Sequence, residues 1–82
     1  MPTAYFLLNV AINHEVEVID KVKQILTQQQ SIDFEIQGVY GVYDIIIKIT
    51  ADSDDNIRHL ALDKIKSIIN IQSAITMMVN DN

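Results

Sequence analysis

Apolar side chains recur along this chain with two periods, one typical of β-strands and the other of α-helices. Residues 3–10 are rich in β-forming and aromatic side chains and predict a first strand. Residues 32–37 alternate apolar and polar side chains, which is the clearest strand pattern in the sequence. The isoleucine-rich residues 44–50 and the segment 71–80 predict a third and a fourth strand.

Residues 14–28 follow the helical period and lie between the first two predicted strands. Asn13 is the expected N-cap, and Glu15 and Glu17 are acidic residues of the kind that stabilise a first helical turn. The predicted buried stripe consists of Val16, Val18, Ile19, Val22, Ile25 and Leu26. The polar residues 28–31 are expected to connect this helix to the second strand.

A second helix is predicted between the third and fourth strands. Residues 52–55 supply capping and acidic first-turn side chains for it. Its buried stripe is expected to contain Ile57, Leu60, Ala61, Ile65 and Ile68, widened by Leu62 and Ile69. Asn70 tolerates the left-handed conformation in which helices commonly end, so the helix is expected to stop there.

The element order β-α-β-β-α-β predicts an α+β fold of the ferredoxin-like type, in which a four-stranded antiparallel sheet carries both helices on one face. The 82 residues are expected to form a single domain. No apolar run approaches the roughly 20 residues that span a bilayer, and no basic segment of a signal peptide precedes the first strand. A cytoplasmic protein is therefore expected.

The sheet face away from the helices is expected to be unusually apolar. If Phe6, Ile45 and Ile47 point towards the helices, the pattern places Tyr5, Leu7, Ile46, Thr76 and Met78 on the other side. Such a patch is larger than a small monomer normally leaves in water. We therefore expect a homodimer or higher oligomer formed through this face, with Tyr5, Leu7, Ile46 and Met78 in the interface.

Composition excludes several functional classes. Six basic residues against eleven acidic ones give a formal net charge of −5, which disfavours direct binding to nucleic acid or to an anionic membrane. The absence of cysteine excludes disulfides and thiolate metal sites. His59 lies one helical turn from Asp55 and from Asp63, a weak metal-binding pattern that is also routine on helix surfaces. No metal, cofactor or catalytic residue is predicted, and the chain is not expected to be an enzyme.

Residues 38–44 are the most distinctive segment, because they hold both glycines and two of the three tyrosines. Gly41 permits backbone conformations that a Cβ atom would penalise. Asp44 stands at the mouth of the third strand, where it is either a ligand contact or a capping residue. Tyr40 and Tyr43 either line a pocket or pack in an interface. The residues themselves leave these alternatives open.

Several segments together resemble the effector-binding domain of Lrp/AsnC-type transcription regulators, also called the RAM domain. They are residues 39–44 (VYGVYD), the aliphatic strand up to Lys48, Ala51-Asp52-Ser53, the helix at 60–69, and a closing strand with Ile71, Thr76, Met77 and Val79. The resemblance extends over residues 3–80. The sequence departs from it at Asn70 and Ala74, where the family usually has a glycine and a threonine. Because the chain opens on the first strand, a stand-alone form without the helix-turn-helix is expected.

The resemblance implies an oligomeric module that binds a small amino acid through Gly41, Tyr43, Asp44 and Thr76, at a site between subunits. It also implies that the module modulates full-length Lrp/AsnC-type regulators by mixed assembly. Two alternatives share the topology and the size. One is a small dimeric α+β-barrel enzyme of the monooxygenase type, and the other is an ACT-like amino-acid-binding domain.

Overall fold

A computed structural model describes residues 2–29 and 32–79, without the side chain of Leu62. The elements are β1 (Thr3–Val10), α1 (Glu15–Thr27), β2 (Asp33–Gly38), β3 (Ile45–Thr50), α2 (Asp54–His59) with its π-helical continuation Leu60–Ile65, and β4 (Ile71–Met78). The predicted order is confirmed. The predicted contributions of Gln30 and Ser31 to the α1–β2 connection, of Leu62 to the second stripe and of Asn80 to the last strand lie outside the described part.

The strands form one sheet in the order β2-β3-β1-β4, and each neighbouring pair is antiparallel. Phe6 of β1 is paired with Ile47 of β3, which is paired in turn with Ile36 of β2. This is the ferredoxin-like α+β fold that the sequence predicts. Because paired residues point to the same side of a sheet, the register assigns each side chain to one face.

The core lies between the sheet and the helices. Alternate residues of β1 and β3 are fully buried, since strand side chains alternate between faces. They meet Val18, Val22 and Leu26 of α1, together with Ile57 and Ile65 of the second helical segment. The buried set contains Ala4, Phe6, Leu8, Val10, Ile45, Ile47, Ile49 and Ala51 in addition to these helical residues, Leu60 and Ala61.

The start of α1 differs from the prediction. Asn13 has a φ of 70° and lies in the turn before the helix, so it is not the N-cap. The N-cap is His14, whose side chain makes no capping hydrogen bond. Val16 lies two positions, about 200° around the helix, from the buried Val18. It is therefore on the outward side and is 74% exposed rather than part of the stripe.

The second helical segment begins as predicted and ends earlier. The Ser53 hydroxyl accepts a hydrogen bond from the backbone N–H of Asn56 at 3.2 Å, which is the expected capping contact. The π-helical turn ends at Ile65. Ile69 therefore lies in the following turn and is 74% exposed, not buried as predicted. Asn70 has the expected left-handed conformation, with a φ of 75°, and directly precedes β4.

The predicted orientation of β4 is wrong. Thr76 is paired with Phe6 and Met78 with Ala4, so both side chains point to the helix side of the sheet. The opposite face instead receives Ile75, which is paired with Leu7, and Met77, which is paired with Tyr5. Alternation along this strand is apolar on both sides, so the sequence pattern does not distinguish its faces.

Candidate functional site

Asp44 connects the β2–β3 loop to the end of β1 through hydrogen bonds. Its backbone N–H donates to the carbonyl oxygen of Leu8 at 2.9 Å, and its carbonyl oxygen accepts from the N–H of Val39 at 2.8 Å. Its carboxylate Oδ2 accepts from the backbone N–H of Val10 at 2.9 Å. The structure therefore gives Asp44 the capping role that the sequence left open. Among the described residues, Oδ1 accepts no hydrogen bond.

The loop before Asp44 projects away from the rest of the fold. Gly41 has a φ of +131°, in the region that favours glycine, and no heavy atom lies within 4 Å of the position its Cβ would take. Tyr40 is fully exposed and Val42 is 81% exposed. The loop thus presents two large apolar side chains to solvent.

A depression of about 470 Å³ lies beside this loop and is lined by Glu15, Gly38, Val39, Tyr40 and Asp44. Two acidic residues thus line one space, an arrangement that suits a small cation. Glu15 was predicted only as a first-turn acid of α1. Its part in this depression depends on the α1 N-terminus lying beside the β2–β3 loop, which no sequence pattern indicates.

The four predicted ligand-binding residues are not brought together within one chain. Asp44 lines the depression, whereas Gly41 and Tyr43 lie in the same loop without lining it. Thr76 belongs to β4, on the other side of β1 from β3 and from this loop. The structure thus places one of the four in the depression and leaves their shared role as a prediction.

The outer face, meaning the sheet face opposite the helices, has an apolar part and a charged part. The apolar part lies on the two central strands and β4, and consists of Tyr5, Leu7, Ile46, Ile75 and Met77. Ile75 and Met77 are 43% and 51% exposed. The edge strand β2 contributes Asp33, Glu35 and Gln37 to the same face, and β3 contributes Lys48 beside Glu35. Tyr5, Leu7 and Ile46 are on this face as predicted, and Met78 is not.

The second helical segment carries a smaller polar cluster. His59 Nδ1 and Asp63 Oδ2 are 2.7 Å apart, and both side chains are exposed. They line a depression of about 220 Å³ together with Gln29, Ile32, Asn56, Leu60 and Lys64. No group of three or more metal-ligating side chains occurs within residues 2–29 and 32–79.

Among the helices that the structure describes, none is both long enough and apolar enough to cross a membrane.

The sequence matches no family model and no curated protein. Solved structures do resemble it. FFRP-DM1 is 30% identical with a TM-score of 0.81, and the match covers 98% of this chain and all of that one (100%). The hypothetical protein PHS023 from Pyrococcus horikoshii is 29% identical with a TM-score of 0.80, over 100% of this chain and 93% of that one.

Larger regulators contain the same fold. AsnC of E. coli is 24% identical with a TM-score of 0.79, over 99% of this chain and 52% of AsnC. The transcriptional regulator NMB0573 of Neisseria meningitidis, solved as its L-Met complex, is 12% identical with a TM-score of 0.73, over 98% of this chain and 50% of that one. This chain therefore spans about half the length of these two regulators, and at such identities the likeness is one of fold.

A ferredoxin-like sheet with helices on one side, an apolar outer face and an exposed β2–β3 loop define a small domain of α+β type. By its 30% identity to FFRP-DM1 over 98% of this chain and 100% of that one, the chain belongs to the Lrp/AsnC family. It is a regulatory domain of that family.

Proposed function

We propose that this chain is a single oligomeric effector-binding domain, which senses a small amino acid and acts on Lrp/AsnC-type regulators. The observation that carries the proposal is the apolar outer face, where Ile75 and Met77 remain about half exposed. The regulators among its structural neighbours support a binding role rather than a catalytic one. They do not favour the monooxygenase-type or ACT-like alternative.

Assembly through the outer face is the first part of the proposal. The described chain has an accessible surface of 5378 Å², and its helices cover only one side of the sheet. Packing the outer faces of two copies together removes the apolar side chains of both from water. This burial favours association by about 25 cal/mol for each Å² of apolar surface that becomes inaccessible to water. A two-fold dimer is the simplest closed solution.

The dimer is tested by replacing Ile46 at the centre of the outer face with Asp. An unpaired carboxylate buried in the interface costs several kcal/mol, so Ile46→Asp should sediment as a monomer where the wild type sediments as a dimer. Ile12→Asp is the matched control, because Ile12 is 83% exposed in the β1–α1 turn and away from this face. A wild-type species of 9.3 kDa at micromolar concentration would contradict the proposal.

The loop beside Asp44 is the ligand site that we propose. The carboxylates of Asp44 and Glu15 provide negative charge for an α-ammonium group, and the exposed ring of Tyr40 is available to cover the apolar part of a ligand. The glycine at position 41 allows backbone N–H groups to approach a ligand carboxylate. Tyr43 lies in the same loop. The L-Met complex of a protein with this fold supports an amino acid as the ligand class.

Binding and assembly are coupled in this proposal. A second copy that covers Tyr40 and Val42 would complete the site. Thr76 has no part in it through the outer face, because its side chain points to the helix side of the sheet. A ligand that binds only the assembled form must favour that form, by thermodynamic linkage. The same coupling would let the module respond to an amino acid when it joins a full-length regulator.

Calorimetric titration of the standard amino acids tests the site. At least one should bind, and Asp44→Asn should weaken it about tenfold or more, since one charged contact is worth roughly 1.5–3 kcal/mol. Asn retains an acceptor for the Val10 N–H, so this change spares the β1 contact better than Asp44→Ala does. Asp52→Asn, at an exposed position away from the depression, is the control. If no amino acid binds at millimolar concentration, the sensing role is wrong and the assembly role stands alone.

A further inference from the structure

The depression of about 220 Å³ beside the second helical segment shares no lining residue with the depression at the β2–β3 loop. Its wall is formed by Gln29 after α1, by Ile32 before β2, and by five residues of α2 and its π-helical continuation. Three segments that are separate in the sequence therefore meet around one space. We call this space the helical depression.

The π-helical turn determines which side chains line the helical depression. The backbone N–H of Lys66 donates to the carbonyl oxygen of Ala61 at 3.1 Å, five positions earlier, as in a π-helix. In an α-helix, residues five positions apart point about 140° away from each other. Here the wider turn brings Lys64 to the same depression as His59. Such turns are rare and occur frequently at functional sites.

The charges that line the helical depression are not balanced in the same way. His59 Nδ1 lies 2.7 Å from Asp63 Oδ2, so the carboxylate of Asp63 already has a partner. Lys64 lines the same space, and its ammonium is within 4.0 Å of no carboxylate oxygen of the described residues. The charge that remains for a ligand is therefore positive, which favours an anion.

The other lining side chains suit a ligand that is partly polar and partly apolar. The side-chain amides of Gln29 and Asn56 carry N–H donors, which carboxylate oxygens accept. Leu60 is buried, and Ile32 packs against the core, so both present apolar surface from a fixed position. Sites for drug-sized ligands are commonly about 300–1,000 Å³, and the smaller volume here restricts the ligand to a few heavy atoms.

We propose that the helical depression binds a small carboxylate with a short aliphatic chain. Lys64 and the two amides hold the carboxylate, and Ile32 and Leu60 contact the chain. This site is separate from the amino-acid site proposed at the β2–β3 loop and does not depend on it. Because Lys64 is exposed, its charge is screened by water, and the dissociation constant is expected to be on the order of 1 mM.

Titration with isovalerate tests the site, with the backbone amide signals followed in proton–nitrogen NMR spectra. The signals of Ile32, Asn56 and Lys64 should shift most, and those of Val39 and Asp44 should not move. Largest shifts at Val39 and Asp44 would overturn the inference, because the carboxylate would then bind at the β2–β3 loop. No shift at millimolar isovalerate would overturn it as well.

Three analogues of isovalerate separate the contributions of charge and chain. Isovaleramide and isopentylamine have the same branched chain without the negative charge and should not bind. Acetate has the charge without the branched chain, and it should bind about threefold more weakly or worse, since it buries less apolar surface. Equal binding of isovaleramide, isopentylamine or acetate would each contradict the proposed ligand class.

Lys64→Gln should weaken isovalerate binding about threefold to tenfold, as expected for one partly screened charged contact. Lys66→Gln is the matched control, because Lys66 is exposed at the end of the same segment and does not line the depression. The spectra of both variants also show whether the fold is kept, which is expected at exposed positions. Equal weakening by the two substitutions would show that net charge alone attracts the anion, and would overturn the inference.

Discussion

The two glycines of the chain, which are three positions apart, differ in backbone conformation. Gly41 has a φ of +131°, whereas Gly38 has no such conformation and ends β2. A Cβ at Gly38 would lie 3.9 Å from Ile19 Cδ1, an ordinary contact, and a Cβ at Gly41 would contact nothing. Only Gly41 is therefore required by backbone geometry.

Gly41→Ala should accordingly destabilise the protein by about 1–3 kcal/mol through backbone strain, with no contribution from steric overlap. Gly38→Ala is the matched control. It should be neutral or slightly stabilising, since alanine restricts the unfolded chain at a compatible position. Urea unfolding of both variants measures the difference. Equal effects of the two substitutions would contradict the assignment of strain to Gly41.

Asp44 shows how far residue-level prediction extends. Its importance was evident from its place at the mouth of an isoleucine-rich strand. Its capping role depends on Val10, which is 34 positions away, and such a contact becomes visible only when β1 and β3 are paired. Glu15 was missed as a lining residue for the same reason. Single positions indicate a site, and long-range pairing decides what each one does there.

At the scale of elements, period and capping residues predicted the order, and the predicted ends lie within two residues of the observed ones except at the end of the second helical segment. β1 was predicted residue for residue, and the N-cap of α2 is Ser53, one of the four residues from which a cap was predicted. The errors occur where patterns are uninformative. β4 has apolar side chains on both faces, and its register with β1 shifts between Asn9 and Val10. A pattern with apolar residues on both sides cannot indicate which side faces the helices.

The orientation of β4 predicts that substitutions at Met77 and Met78 have different effects on assembly, because the two side chains lie on opposite faces of the sheet. Met77 is on the outer face and is 51% exposed, whereas its neighbour Met78 is on the helix side and is 39% exposed. Met77→Asp should dissociate the proposed dimer by placing a charge in the interface. Met78→Asp, one position along the same strand, should leave sedimentation unchanged. Dissociation by Met78→Asp with no effect of Met77→Asp would contradict the proposed interface.

At the scale of the whole molecule, the sequence predicted the fold because every level agreed. Local period, helix caps and element order all indicate the same ferredoxin-like arrangement, as expected for a consistent sequence. The site was less predictable. Its residues come from a loop and a helix terminus, which become neighbours only in the folded chain.

The net charge of −5 predicts that the protein does not bind duplex DNA by itself. A protein binds duplex DNA through cations that displace counterions, and the basic residues of this chain are few and dispersed. At low ionic strength, where electrostatic attraction is strongest, the protein should leave the mobility of random duplex DNA unchanged in a gel-shift assay. A shifted band that disappears with added salt would contradict this expectation.

The two edges of the sheet differ in how well they resist unwanted pairing. Natural edge strands are commonly protected by charged residues or proline, and β2 has Asp33 and Glu35. β4 has eight residues (IQSAITMM), none of them charged and none proline. Its backbone edge is therefore an available template for strand addition by other chains. The colloidal stability of the protein should thus depend on β4 more than on any other segment, and a single lysine there would raise the concentration at which it remains clear in solution.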